Sequence, residues 1–193
     1  MMLKWPVAVL DVETTALKPG YVVELGVVMV TPYLRKTLHR DWEVRVPAYE
    51  LFRETLKGSF WKAKAVHGKT MSEMFLPRFL GGEAMPIPEV VEDLDWIRSK
   101  YPDAIIGGQN VGFDYNFVKS MYEYVGKKCP WNYHLLDLTA LSAVHLGTLS
   151  LSDTLKALGI DQTRYTKHSA AGDAEATADA LIQLLKAIDA RQL

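Results

Sequence analysis

Asp11 and Glu13 stand one residue apart at the end of the apolar run Val7-Ala8-Val9-Leu10. Side chains two apart on a strand share a face, so the sequence predicts two carboxylates side by side where a β-branched strand ends. Like charges held together repel and lose solvation, and bound positive charge relieves that cost. A divalent cation that prefers oxygen ligands is the natural candidate. Further along come Asp114, directly after Phe113, then His168 and Asp173. Four acids and one histidine in this order make metal-dependent phosphodiester hydrolysis the leading reading. That chemistry needs an attacking water, in-line geometry and charge stabilisation on both the attacking and leaving oxygens. Two divalent ions about 3.5–4 Å apart supply all three. His168, on a small-residue loop five positions before Asp173, is placed to take the water's proton.

The elements that must position these groups follow from the hydrophobic pattern. Residues 5–11 read as a first strand and residues 21–31, rich in valine, as a second. Residues 41–46 read as a third, and the short connections predict an antiparallel meander. Segment 47–82 mixes Pro, Gly, Lys and aromatics and is the least legible. From 86 to 101, Val90, Val91, Leu94 and Ile97 recur at helical spacing before Pro102. A buried strand over 104–108, a helix over 113–125 and a strand around 134–138 follow. Helices are then predicted over 139–146 and 152–158. The last helix is predicted over 172–190, with Ala174, Ala178, Leu181, Leu185 and Ile188 on one face. The whole reads as one α/β domain across residues 1–193, a mixed central sheet with helices packed on both sides.

Composition narrows the function classes. A chain of 193 residues suits a single domain with a sizeable core. Hydrophobic content of 49% and charged content of 23% exclude a largely disordered chain. A net charge of −1 lacks the basic surplus of a protein that grips long duplex, which favours short ends or single strands. Cys129 is the only cysteine, so intrachain disulfides and thiolate metal clusters are excluded, and a reducing cytoplasm fits. No stretch has the length of a membrane span, and residues 1–6 lack a signal-peptide core, so no membrane partner is expected.

Three stretches are specific enough to carry a family resemblance. Asp11-Val12-Glu13-Thr14-Thr15, Asn110-Val111-Gly112-Phe113-Asp114 and His168-Ser169-Ala170-Ala171-Gly172-Asp173-Ala174 resemble, in order, the three exonuclease motifs of the DnaQ-like family. The histidine five positions before the last aspartate marks its DEDDh branch. The resemblance extends from residue 7 to about residue 185. It implies an RNase H-like fold and stepwise 3′-to-5′ release of nucleoside 5′-monophosphates from single-stranded ends. It also implies two Mg²⁺ or Mn²⁺ ions held by Asp11, Glu13, Asp114 and Asp173, with Asp11 bridging them and His168 as general base. Thr14, Thr15 and Leu17 match the segment that cradles the terminal nucleotide. His67, in Val66-His67-Gly68-Lys69-Thr70, matches a segment near the terminal sugar, and Asn110 falls in the second motif. Gln109 departs from the family, which often carries His before that Asn.

The Thr-Thr pair of the first motif resembles DNA-directed branches, so DNA leads RNA as the expected substrate. An exoribonuclease that trims RNA 3′ ends, or a subunit associated with a polymerase, is the alternative. Singly, each site residue also has a plain explanation. Asp114 and Asp173 could serve the dipoles of their helices, Asp11 and Glu13 could pair with lysines, and His168 could be an ordinary loop histidine. Phe52, Phe60 and Trp61 could stack on bases, although loop anchoring is the commoner role for such aromatics.

Overall fold

The computed structural model describes residues 3–15, 20–46 and 84–191. Leu17, His67, Phe52, Phe60 and Trp61 lie outside the described residues. Among the described residues six strands form one sheet: β1 (Val7–Thr14), β2 (Val22–Val30), β3 (Lys36–Arg45), β4 (Met85–Pro86), β5 (Ile105–Gly108) and β6 (Leu135–Asp137). Their order across the sheet is β4-β3-β2-β1-β5-β6. The first three form the expected antiparallel meander, and β5 and β6 add in parallel beyond β1. The helices are α1 (Ile87–Lys100), α2 (Gly112–Tyr124), α3 (Leu138–Leu146), α4 (Leu151–Ala157) and α5 (Ala170–Arg191).

The alternation of β1 divides the core into two layers. Ala8, Leu10 and Val12 face one side, where Val90, Leu94 and Ile97 of α1 and Phe117, Val118 and Met121 of α2 cover them. Val7 and Val9 face the other side, under Leu138 of α3, Leu155 of α4 and Ala174, Ala178 and Leu181 of α5. A strand buried on both faces reads as a continuous apolar run rather than an alternating one. That is why Val7-Ala8-Val9-Leu10 stood out. The face expected for the last helix is its buried face, with Ala174, Ala178, Leu181 and Leu185 all buried.

Most strand ends fall within two residues of the sequence reading, and two differ by more. β1 does not stop at Asp11 but continues to Thr14, with Glu13 paired to Glu24 on β2. Backbone pairing to β2 carries the strand past the point where its apolar pattern ends. β3 begins at Lys36, five residues before the expected start. Its first half is mostly exposed and polar, so only its pairing to residues 27–30 of β2 reveals it. Trp42 Nε1 donates to Asp93 Oδ2 at 2.8 Å and ties β3 to α1. Among the described residues no helix is long and apolar enough to cross a membrane.

Candidate active site

β1 places Asp11 and Glu13 on the same face as Val7 and Val9, the face that α5 covers. Asp173 lies in the first turn of α5. Carboxylate oxygens of Asp11, Glu13 and Asp173 all lie within 4.8 Å of one another. The arrangement is costly without a cation. The Asp11 carboxyl is raised well above the ordinary carboxylate range, first by burial and then by the charges of Asp114, Asp173, Glu13 and Glu24. Asp173 is also raised by burial, which outweighs the opposing pull of the His168 charge, the His168 backbone and Lys167.

Asp114 approaches from the opposite layer. It sits in the first turn of α2, is 3% exposed, and its Oδ1 accepts a 2.9 Å hydrogen bond from the Val12 N–H. Burial pushes its carboxyl up to about 7, against the lowering effect of that N–H. Asp114 thus stands outside the tight triad while its charge acts on Asp11. A donor set made wholly of carboxylate oxygens, crowded and desolvated, suits a hard divalent cation. Neither imidazole nor thiolate belongs to the triad, which argues against a softer metal.

His168 is exposed on the connection leading into α5, in the left-handed backbone region at φ 56°. Non-glycine residues hold that region only when their surroundings impose it. The imposition is visible just downstream. Ser169 Oγ accepts from the Gly172 N–H at 3.1 Å and donates to the Thr166 carbonyl at 2.9 Å, while Asp173 N–H donates to the Ser169 carbonyl at 2.9 Å. A serine cap therefore starts the helix one residue after His168. His168, Lys167, Asp11, Asp173 and Gln109 line an open cleft of about 440 Å³.

The other expected contacts are placed unevenly. Thr14 ends β1, half-buried and next in sequence to Glu13. Thr15 is buried, and its hydroxyl accepts from the Tyr21 N–H at 2.9 Å, closing the entry to β2. Asn110 is exposed at φ 54°, its N–H shared between Asp137 Oδ1 at 3.1 Å and Thr139 Oγ1 at 2.9 Å. Gln109 donates from Nε2 to the Leu149 carbonyl at 2.7 Å, and its Oε1 is buried with no hydrogen-bond partner among the described residues.

Two acids escaped the sequence reading. Glu24 faces Glu13 across the β1–β2 ladder, and its Oε2 accepts from the Ala170 N–H at 3.2 Å. Asp137 caps α3, holds Asn110 and raises Asp114 by its charge. Glu24 was detectable by the argument that found Asp11, since it is a lone acid inside an apolar strand.

No family model matches the chain. Over 94% of its length it is 28% identical to a DNA polymerase III PolC-type protein of Staphylococcus saprophyticus, covering 11% of that protein. Over 47% of its length it is 36% identical to a DNA polymerase III subunit epsilon-like protein of Rhodobacter capsulatus, covering 13% of it. The chain therefore spans a small part of either curated relative. Among solved structures, E. coli exonuclease I in complex with a dA16 oligonucleotide superposes with a TM-score of 0.70 at 16% identity, over 97% of this chain and 42% of that one. The nuclease domain of 3′hExo, a DEDDh family member bound to rAMP, superposes with a TM-score of 0.66 at 15% identity, over 98% and 95% of the two chains. These likenesses establish the fold, the RNase H-like arrangement shared by DEDDh exonucleases.

Proposed function

We propose that this chain, a member by fold and motif of the DnaQ-like (DEDDh) family in the RNase H-like superfamily, is a metal-dependent 3′-to-5′ exonuclease of single-stranded ends. The observation that carries the reading is the carboxylate triad Asp11–Glu13–Asp173, gathered within 4.8 Å from two elements far apart in sequence. Residues 1–193 act as one exonuclease unit, suited by its single cysteine to a reducing cytoplasm. Asp11, Glu13, Asp114 and Asp173 would hold two Mg²⁺ or Mn²⁺ ions, since the charges of the other three all act on Asp11. When bound, the ions supply charge neutralisation at the scissile phosphate and an acidified water.

The chain's own residues do the rest. His168 accepts a proton from the attacking water at an imidazole nitrogen. The water oxygen bonds to phosphorus as the P–O3′ bond breaks; the nucleoside 5′-monophosphate departs, and the 3′ oxygen left on the shortened strand takes a proton from solvent. Thr14, Thr15, Leu17, His67 and Asn110 are assigned to the terminal nucleotide on their motifs alone. His168 in its left-handed conformation is held at the rim of the cleft, where a strand end has access from solvent.

Single-stranded DNA is the favoured substrate. Support comes from the Thr14-Thr15 pair and from exonuclease I, which was solved with deoxyoligonucleotides. A second reading, a polymerase-associated proofreading subunit, is favoured by the two relatives named as DNA polymerase III proteins. It leaves the chemistry unchanged and adds a partner. The test is turnover of a labelled oligonucleotide in Mg²⁺. Asp114→Asn is expected to abolish it and His168→Ala to slow it about 10²–10⁴-fold. Near-wild-type rates in both variants would exclude the proposal.

A further inference from the structure

The triad joins two elements that chain connectivity does not hold together: Asp11 and Glu13 belong to β1, and Asp173 to α5. Their separation therefore depends on how closely the start of α5 rests on the sheet. Side chains of α5 pack on β1 further along the helix, but at its first turn the close contact is between main chains. It is made by β2, whose Gly26 lies directly opposite Asp11 and whose Glu24 lies directly opposite Glu13. Directly opposed residues share a face of the sheet, so Gly26 and Glu24 underlie the same helix as the two ligands.

At Gly26 the helix backbone occupies the volume of a side chain. A Cβ there would run into the Ala170 carbonyl and sit 2.9 Å from the Ala171 nitrogen. Both obstacles are main chain in the first turn of α5, so no rotamer change relieves them. Glycine permits this close approach of one backbone to another. Two residues away, the Glu24 carboxylate accepts the Ala170 N–H at 3.2 Å. It satisfies one of the donors that a helix start leaves open and places negative charge at the positive end of the helix. One contact sets the height of the helix above the sheet, and the other sets its position along the strand.

We propose that Gly26 and Glu24 form the seat of α5, and that this seat sets the spacing between Asp173 and the Asp11–Glu13 pair on which metal affinity depends. Both are positioning residues, since they act through the ligands rather than on substrate. The inference rests on reading the triad as a divalent-metal site.

The test titrates Mn²⁺ into chelator-stripped protein and follows the bound ion by electron paramagnetic resonance, with circular dichroism reporting helix content. Gly26→Ala is expected to stay folded and to bind Mn²⁺ about ten- to a hundredfold more weakly, the usual effect of disturbing the support of a ligand. Folded Gly26→Ala with wild-type affinity would overturn the proposal. If Gly26→Ala fails to fold, Glu24 decides the question. Glu24→Gln and Glu24→Ala remove the same charge, yet only glutamine retains an acceptor for the Ala170 N–H. Glu24→Gln is expected to bind Mn²⁺ about fivefold more tightly than Glu24→Ala, the effect of one helix cap on an equilibrium. Equal affinities would overturn the seat alone, whereas a wild-type protein that binds no Mn²⁺ would overturn both the seat and the metal site beneath it.

Discussion

Asp114→Asn separates charge from packing at the candidate site. Asparagine keeps an oxygen for the Val12 N–H and nearly the same volume, so the contact between α2 and β1 is retained. What it removes is a buried ionisable group whose carboxyl is raised from 3.8 to about 7. An acid with a raised folded pKa holds its proton more tightly in the folded state. Stability then falls as pH rises from about 4 to about 7 and levels off above that. Each tenfold difference in proton affinity is worth about 1.4 kcal/mol. In chelator at pH 8, the wild type therefore carries on the order of 2–4 kcal/mol of destabilisation that the variant lacks. Loss of the Asp114 charge also relieves Asp11, which works in the same direction. Thermal unfolding in EDTA is expected to show the variant about 5–10 °C more stable at pH 8. That gap should fall to less than half at pH 5. Adding Mg²⁺ should stabilise the wild type far more than the variant, since a ligand that binds only the folded state raises its stability. A gap independent of pH, or a variant less stable at pH 8 than at pH 5 relative to wild type, would refute the electrostatic argument.

Two further substitutions examine the framework around the site. Tyr122 is fully buried, with its hydroxyl donating to Asp95 Oδ1 at 2.9 Å and accepting from Trp131 Nε1 at 3.3 Å. Tyr122→Phe strands the Trp131 N–H and should cost about 1–3 kcal/mol in urea unfolding while Mn²⁺ affinity holds; a loss under about 0.5 kcal/mol would speak against that network. Lys36 Nζ lies 3.0 Å from Glu175 and 2.8 Å from Asp179, linking β3 to α5 across a partly exposed surface. Lys36→Met should cost only about 1 kcal/mol or less, and added salt should erase most of the difference. A larger loss insensitive to salt would show that the pair is not screened as its exposure implies.

Much of the fold was legible because its signals are local. Val7 to Leu10 announce a strand covered on both faces, and the Ala174–Leu185 spacing names the buried face of α5. The order of acids along the chain was equally plain, and three of them meet in the triad. What escaped is set by pairing between distant segments. The polar first half of β3 is a strand only because β2 lies beside it, and β1 outlasts its apolar run for the same reason. Gly26 looks like any glycine in an apolar strand until the start of α5 is laid over it. The hydrogen bond from the Val12 N–H to one Asp114 oxygen joins residues 102 positions apart, which no spacing rule anticipates.

The most direct test of the central claim uses matched single strands of DNA and RNA, each labelled at either the 3′ or the 5′ end, with Mg²⁺ and with chelator. The account predicts that, in Mg²⁺ alone, the 3′ label is released at once as a mononucleotide. The 5′-labelled strand should shorten stepwise, with DNA consumed faster than RNA. Release of the 5′ label first, internal cleavage, or degradation that persists in chelator would contradict a metal-dependent 3′-to-5′ exonuclease.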